Sequence, residues 1–115
     1  MTVLIVDDHA AFRRAARAVL EAEGFEVVGE AESGEEALRI APALAPALVL
    51  LDVQLPGIDG FEVAARLTAD ASGPAVVLVS SRDAADFGGL IEASGAVGFL
   101  PKDQLSGAGL TALLA

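Results

Sequence analysis

Residues 48–60, LVLLDVQLPGIDG, constrain the fold more than any other stretch of the chain. Leu48 to Leu51 make a continuous apolar run rather than an alternating one. Such a run reads as a strand buried on both faces, the pattern of a parallel sheet covered by helices. It stops at a carboxylate, Asp52; Pro56-Gly57 then turn the chain into a loop, and Asp59-Gly60 open a helix. Asp52 therefore falls at the carboxyl end of a central strand, where open α/β sheets form their ligand crevices. A carboxylate there is costly to desolvate unless something holds it. Taken alone, this Asp could also be a strand-end residue capping its loop, so its partners elsewhere decide.

The remaining segments repeat the theme. Val3 to Val6 is a short β-branched strand that ends in Asp7 and Asp8. The helix after it carries Phe12, Ala15, Ala16, Val19 and Leu20 on one face and Arg13, Arg17 and Glu21 on the other, and Gly24 closes it. Phe25 to Ala31 is the second strand. Ser33 with Glu36 forms a capping box for the second helix, which Pro42 should end or kink. Asp59 with Glu62 caps the third helix, so Asp59 is read as a cap and not a catalytic group. Ala75 to Val79 is the fourth strand, ending in Ser80-Ser81. A fourth helix opens at Asp83 and contains Gly88-Gly89, each glycine costing about 1 kcal/mol relative to Ala. Val97 to Leu100 is the fifth strand, followed by Pro101-Lys102, and a last helix spans about Ser106 to Leu114. Strands alternating with helices mean a right-handed parallel sheet with helices on both faces.

The 115 residues, 54% hydrophobic, fit one domain over residues 1–115 with enough apolar surface for a core. There is no cysteine, hence no disulfide framework or thiolate zinc site. MTVLIVDD runs into a strand without a basic leader, and no apolar run approaches a membrane span, so a cytoplasmic protein is expected. The formal net charge of −10 is opposite to what duplex binding wants, so direct nucleic-acid contact is not expected.

In a parallel sheet all strand ends of one sense share an edge. That edge here collects Asp7 and Asp8, Asp52, Ser80 and Lys102. Three neighbouring carboxylates repel, so either protons stay bound or a cation neutralises them. Among cations, Mg2+ suits an all-oxygen site that must leave room for phosphate. Lys102 adds a compact positive charge and Ser80 a hydroxyl donor.

These residues give the chain a clear resemblance. LIVDDHAAFRR, LVLLDVQLPGIDG, VVLVSS and GFLPKD match, in order and spacing, the receiver domains of bacterial two-component response regulators. The DDH opening and GFLPKD ending are most similar to the branch with LuxR-type helix-turn-helix outputs. The resemblance implies a flavodoxin-like (βα)5 sandwich with strand order 2-1-3-4-5. It implies Asp52 as phosphoryl acceptor from a sensor histidine kinase, and Mg2+ or Mn2+ held by Asp7, Asp8, Asp52 and the Gln54 backbone carbonyl. Ser80 and Lys102 would contact the phosphoryl oxygens, and Phe99 would be the aromatic switch. Gln54 and Arg82, each two residues beyond a site residue, would tune the phosphoryl lifetime. The output would be a homodimer or an attached C-terminal DNA-binding domain. The expected activity is Mg2+-dependent self-phosphorylation and self-dephosphorylation, not that of a dedicated enzyme. Asp103 follows Lys102 where many members have proline, and Phe99 replaces a frequent Tyr.

Other readings fare worse. A haloacid-dehalogenase-type phosphatase wants a second Asp two residues after the nucleophile, and position 54 is Gln. Gly29 and Gly34 have phosphate-loop spacing, but Glu35 stands where the lysine belongs. A binding module of the same fold that switches without phosphate would be expected to have lost part of the acidic set. His9, the only histidine, is read as a polar residue opening the first helix.

Overall fold

The computed structural model describes residues 1–115. Five parallel strands stand in the order β2-β1-β3-β4-β5. They are β1 (Thr2–Val6), β2 (Glu26–Ala31), β3 (Leu48–Asp52), β4 (Ala75–Ser80) and β5 (Gly98–Pro101). The helices are α1 (Ala10–Ala22), α2 (Gly34–Leu44), α3 (Gly60–Leu67), α4 (Leu90–Ala93) and α5 (Gly107–Leu114), with 3-10 turns at Ala84–Phe87 and Lys102–Gln104. The alternating pattern accounts for the parallel sheet with helices on both faces, and the strand order is the flavodoxin-like one that the resemblance implies.

The apolar run of β3 is buried throughout, as its composition requires. Side-chain alternation divides the core into two layers. Val3, Ile5, Leu48, Leu50, Val77 and Val79 pack with Ala16, Leu20 and Leu110 of α1 and α5. Leu4, Val6, Val49, Leu51, Val76 and Leu78 pack with Ala37, Ala41, Val63 and Ala64 of α2 and α3. Central strands are thus apolar on both sides, whereas β2, at one edge, carries Glu26 and Glu30 and a register shift opposite Val3/Leu4. Charges and irregularity on an edge strand discourage pairing with other chains.

The expected caps form. Ser33 accepts from the Glu36 amide at 3.1 Å, and Asp59 accepts from the Glu62 amide at 2.9 Å. The reciprocal arm of the first box reaches one residue further back, with Glu36 accepting from the Glu32 amide at 2.7 Å. Two expectations need correction. Pro42 does not stop α2, which continues to Leu44 and ends at Ala45 in the left-handed region (φ 45°). The fourth helix is not continuous: Gly88, at φ 57°, breaks it into the Ala84–Phe87 turn and the single turn α4. The glycine pair thus does more than lower propensity, because its positive φ is incompatible with a helix.

Candidate functional site

Sheet register builds the site. Val6 lies opposite Leu51, so the next residues, Asp7 and Asp52, stand at the same level on adjacent strands. The Asp7 amide donates to the Ala31 carbonyl at 3.0 Å, and the Val53 amide to the Val79 carbonyl at 3.0 Å, so the ladder holds both ends rigid. Ser80 pairs with Pro101, which delivers Lys102 to the same edge. A close approach completes the frame: a Cβ on Gly60 would collide with the Asp52 carbonyl oxygen. Only glycine lets α3 start directly over the end of β3, where the Gly60 amide donates to the Val53 carbonyl at 2.8 Å.

Asp7 and Ser80 are inaccessible to solvent, and the Asp52 side chain is 3% exposed. Lys102 Nζ lies 2.7 Å from Asp7 Oδ2 and 3.5 Å from Asp52 Oδ2, and 4.6 Å from the centre of the Phe12 ring. Asp7 Oδ2 is held by this ion-pair contact alone, since it accepts no well-aligned hydrogen bond. Asp7 Oδ1 accepts from the His9 amide at 2.8 Å, and Asp52 Oδ1 from the Gln54 amide at 3.3 Å. Burial, and then the charge of Asp7, push the Asp52 carboxyl up to about 6, against the opposing pull of Lys102 and the Gln54 amide.

With all three carboxylates ionised, one ammonium leaves two negative charges, which one divalent cation would neutralise. Ligand atoms of Asp7, Asp8, His9 and Asp52 all lie within 4.8 Å of one another. The buried, under-satisfied Asp7 oxygen and the oxygen-rich donor set both fit a hard cation. Asp8 is the most accessible of the three carboxylates, its side chain 35% exposed.

Asp7, Asp8, Asp52 and Lys102 thus come together as the sequence led us to expect. Ser80 is at the same edge, but its side chain follows the alternation of Val76 and Leu78, towards the α2/α3 layer; its Oγ accepts from the Arg82 amide at 3.1 Å. Phe99 is half-buried in that same layer, its ring 5.9 Å from Phe87, which in turn stands 5.5 Å from Phe61. The Arg82 side chain points to Asp86 at 3.6 Å and to the Phe87 ring rather than to Asp52.

Two residues were undervalued by sequence reasoning. His9 does occupy the N-cap position of α1, but its Nδ1 also reaches Asp7 at 3.2 Å and Asp8 at 3.1 Å. Arg13 was assigned to the outer face of α1; instead its side chain is 11% exposed and Nη1 donates to the Asp7 carbonyl at 2.6 Å. A signal was available for Arg13, because Glu30 lies one residue before the end of the neighbouring strand and offers it a carboxylate.

Comparison with known proteins agrees with this architecture. The family model for the response regulator receiver domain matches residues 3–114. The response regulator GacA of Pseudomonas protegens is 40% identical over 97% of this chain and 51% of its own length. The chain spans about half the length of the curated relatives it matches. Among solved structures, the signal receiver domain of NarL from Mycobacterium tuberculosis is 34% identical, with a TM-score of 0.88 over 99% of this chain and 96% of that one. A LuxR-family two-component response regulator from Aurantimonas is 26% identical, with a TM-score of 0.85 over 98% of this chain and 84% of that one. No helix is long and apolar enough to cross a membrane. With strand order, site geometry and family model in agreement, the chain belongs to the response regulator receiver domains of two-component signalling.

Proposed function

We propose that Asp52 accepts a phosphoryl group from the phosphohistidine of a sensor histidine kinase, and that the acyl phosphate so formed switches an output partner. The observation that carries this reading is a solvent-shielded carboxylate at the end of the central strand, flanked by a second buried carboxylate and one ammonium. An ionised Asp52 oxygen attacks phosphorus, the P–N bond breaks, and the imidazole leaves with the bonding pair and takes up a proton. Phosphoryl transfer asks little more of a protein than an in-line nucleophile and neutralised oxygens.

Asp7, Asp8 and Asp52, with the Gln54 backbone carbonyl, are the residues suited to hold Mg2+ or Mn2+. When bound, the cation supplies charge neutralisation for the phosphoryl oxygens and for the carboxylates themselves. Lys102 is close enough to Asp52 Oδ2, at 3.5 Å, to meet a phosphoryl group attached there. Ser80 donates its hydroxyl proton to a phosphoryl oxygen. Drawing Ser80 away leaves space on the face it shares with Phe99, and the Phe99–Phe87–Phe61 contacts carry the change to the α3/α4 face. A second copy of the chain or an attached DNA-binding domain reads that face. Gln54 sets the phosphoryl lifetime from the loop beside the site, and Arg82 contributes to it by leaving its contacts with Asp86 and Phe87.

Incubation with acetyl phosphate and Mg2+, followed by intact mass, tests the assignment. One phosphoryl group should be gained by wild type and none by Asp52→Asn, and chelator should abolish the gain. Equal labelling of Asp52→Asn, or labelling indifferent to chelator, would sink the reading.

A further inference from the structure

The turn between β1 and α1 is anchored to β2 directly and, through Arg13 of α1, indirectly. The Asp7 amide bonds to Ala31, and the Asp7 carbonyl accepts from Arg13 Nη1 at 2.6 Å. That carbonyl belongs to the peptide joining Asp7 to Asp8, so whatever fixes it fixes the direction in which the two carboxylates diverge. Arg13 is itself held. Its Nε donates to Glu30 Oε1 at 3.0 Å, and its Nη2 lies 3.6 Å from Glu32 Oε1. Glu30 is in turn gripped by Arg17 Nε at 2.9 Å, so the brace does not drift. A planar guanidinium presents donors in a fixed fork and can span a carbonyl and a carboxylate together; an ammonium on a flexible stem cannot reproduce that geometry.

We infer that Arg13, clamped by Glu30, is a positioning residue for the cation site, holding the Asp7–Asp8 peptide in the orientation that lets both carboxylates meet one ion. The inference rests on the reading of Asp7 and Asp8 as cation ligands. Loss of groups that orient metal ligands without touching the metal typically weakens binding about 10–100-fold. An Arg13 that served stability alone would leave the affinity of the folded protein unchanged.

The test is titration of the full chain with Mg2+ by calorimetry and with Mn2+ by electron paramagnetic resonance. Arg13→Met should bind roughly 10-fold more weakly than wild type. Arg13→Lys should recover part of the loss, and Glu30→Gln should lose less than Arg13→Met. Because Glu30 acts through Arg13, the Arg13→Met/Glu30→Gln double variant should be no weaker than Arg13→Met alone. Arg39, on α2 with its side chain 71% exposed, controls for charge: Arg39→Met should stay within about twofold of wild type. Affinity of Arg13→Met matching that control, or additive losses in the double variant, would overturn the inference. If Arg13→Met does not fold, Glu30→Gln and Arg13→Lys carry the test, and affinities of both within about twofold of the Arg39→Met control would overturn it equally. A wild type without cation affinity would bring down the parent reading and this inference together; a binding wild type with an indifferent Arg13 brings down the inference alone.

Discussion

Asp52→Asn should stabilise the protein in the absence of divalent cations, by an amount that depends on pH. The Asp52 carboxyl rises from 3.8 to about 6 on folding, chiefly through burial and then through Asp7. Its folded-state value is higher than its unfolded one, so the protonated carboxyl favours folding. The stability it lends is complete below pH about 4 and is lost as pH climbs through about 6. A shift of about two units corresponds to about 3 kcal/mol at neutral pH. With these two values the linkage relation gives about 1.5 kcal/mol at pH 5 and about 3 kcal/mol at pH 7.5. Asn is never ionised and escapes this cost. Urea unfolding of both proteins in chelator, at pH 5 and at 7.5, measures the difference directly. The advantage of Asp52→Asn should grow by about 1–1.5 kcal/mol across that interval. Adding Mg2+ at pH 7.5 should narrow the gap, because the ion binds the folded wild type more tightly than the variant. A pH-independent difference, or a wild type that is the more stable protein at pH 7.5 in chelator, would refute the claim that desolvation dominates at Asp52.

Lys102→Met should cost about 3 kcal/mol in urea unfolding at pH 7.5, because two buried carboxylates lose the ammonium between them; a cost under about 1 kcal/mol would mean the pair is already protonated or hydrated. Gly60→Ala should destabilise by about 1–3 kcal/mol and slow phosphoryl labelling, since its Cβ presses on the Asp52 peptide; wild-type values in both assays would contradict the close packing. Gln54→Ala and Arg82→Ala should change the decay rate of phosphorylated protein by more than about twofold; a smaller change, under roughly half a kcal/mol in barrier, would remove them from the lifetime-setting role. Hydrogen exchange should show altered protection between Asp83 and Lys102 on phosphorylation, where Gly88 interrupts the helix; unchanged exchange in fully modified protein would place the switch elsewhere.

The strand ends were legible because composition and register speak together. Three apolar runs stop at Asp7, Asp52 and Ser80, and the fifth strand passes through Pro101 to Lys102, so the four could be grouped from the sequence. Capping residues were legible for the same local reason. What escaped was information carried by direction rather than spacing. Arg13 adjoins the apolar stripe of α1, and helical periodicity cannot say whether a long side chain at that border turns outward or dives beneath the turn. Its carbonyl partner is invisible in sequence because every residue has one. Gly88-Gly89 announced weakness, but only a positive φ at Gly88 made it a break. Pro42 sits close enough to the end of α2 that the missing amide costs one bond and not the helix.

Strand alternation sends Asp7 and Asp52 towards the α1/α5 layer and Ser80 with Phe99 towards the α2/α3 layer. Along the body of the sheet these layers are insulated from each other by a wall of backbone hydrogen bonds. At the carboxyl edge the wall ends, and one bound group can touch side chains that answer to different layers. On the proposed function, write-in and read-out would therefore sit in separate compartments joined at a single seam. Substitutions in the α1/α5 compartment should alter how readily the protein is charged, and those in the α2/α3 compartment what a given charge accomplishes. For a designer, that separation means sensitivity and response can be adjusted by different sets of residues, with only the seam itself out of bounds.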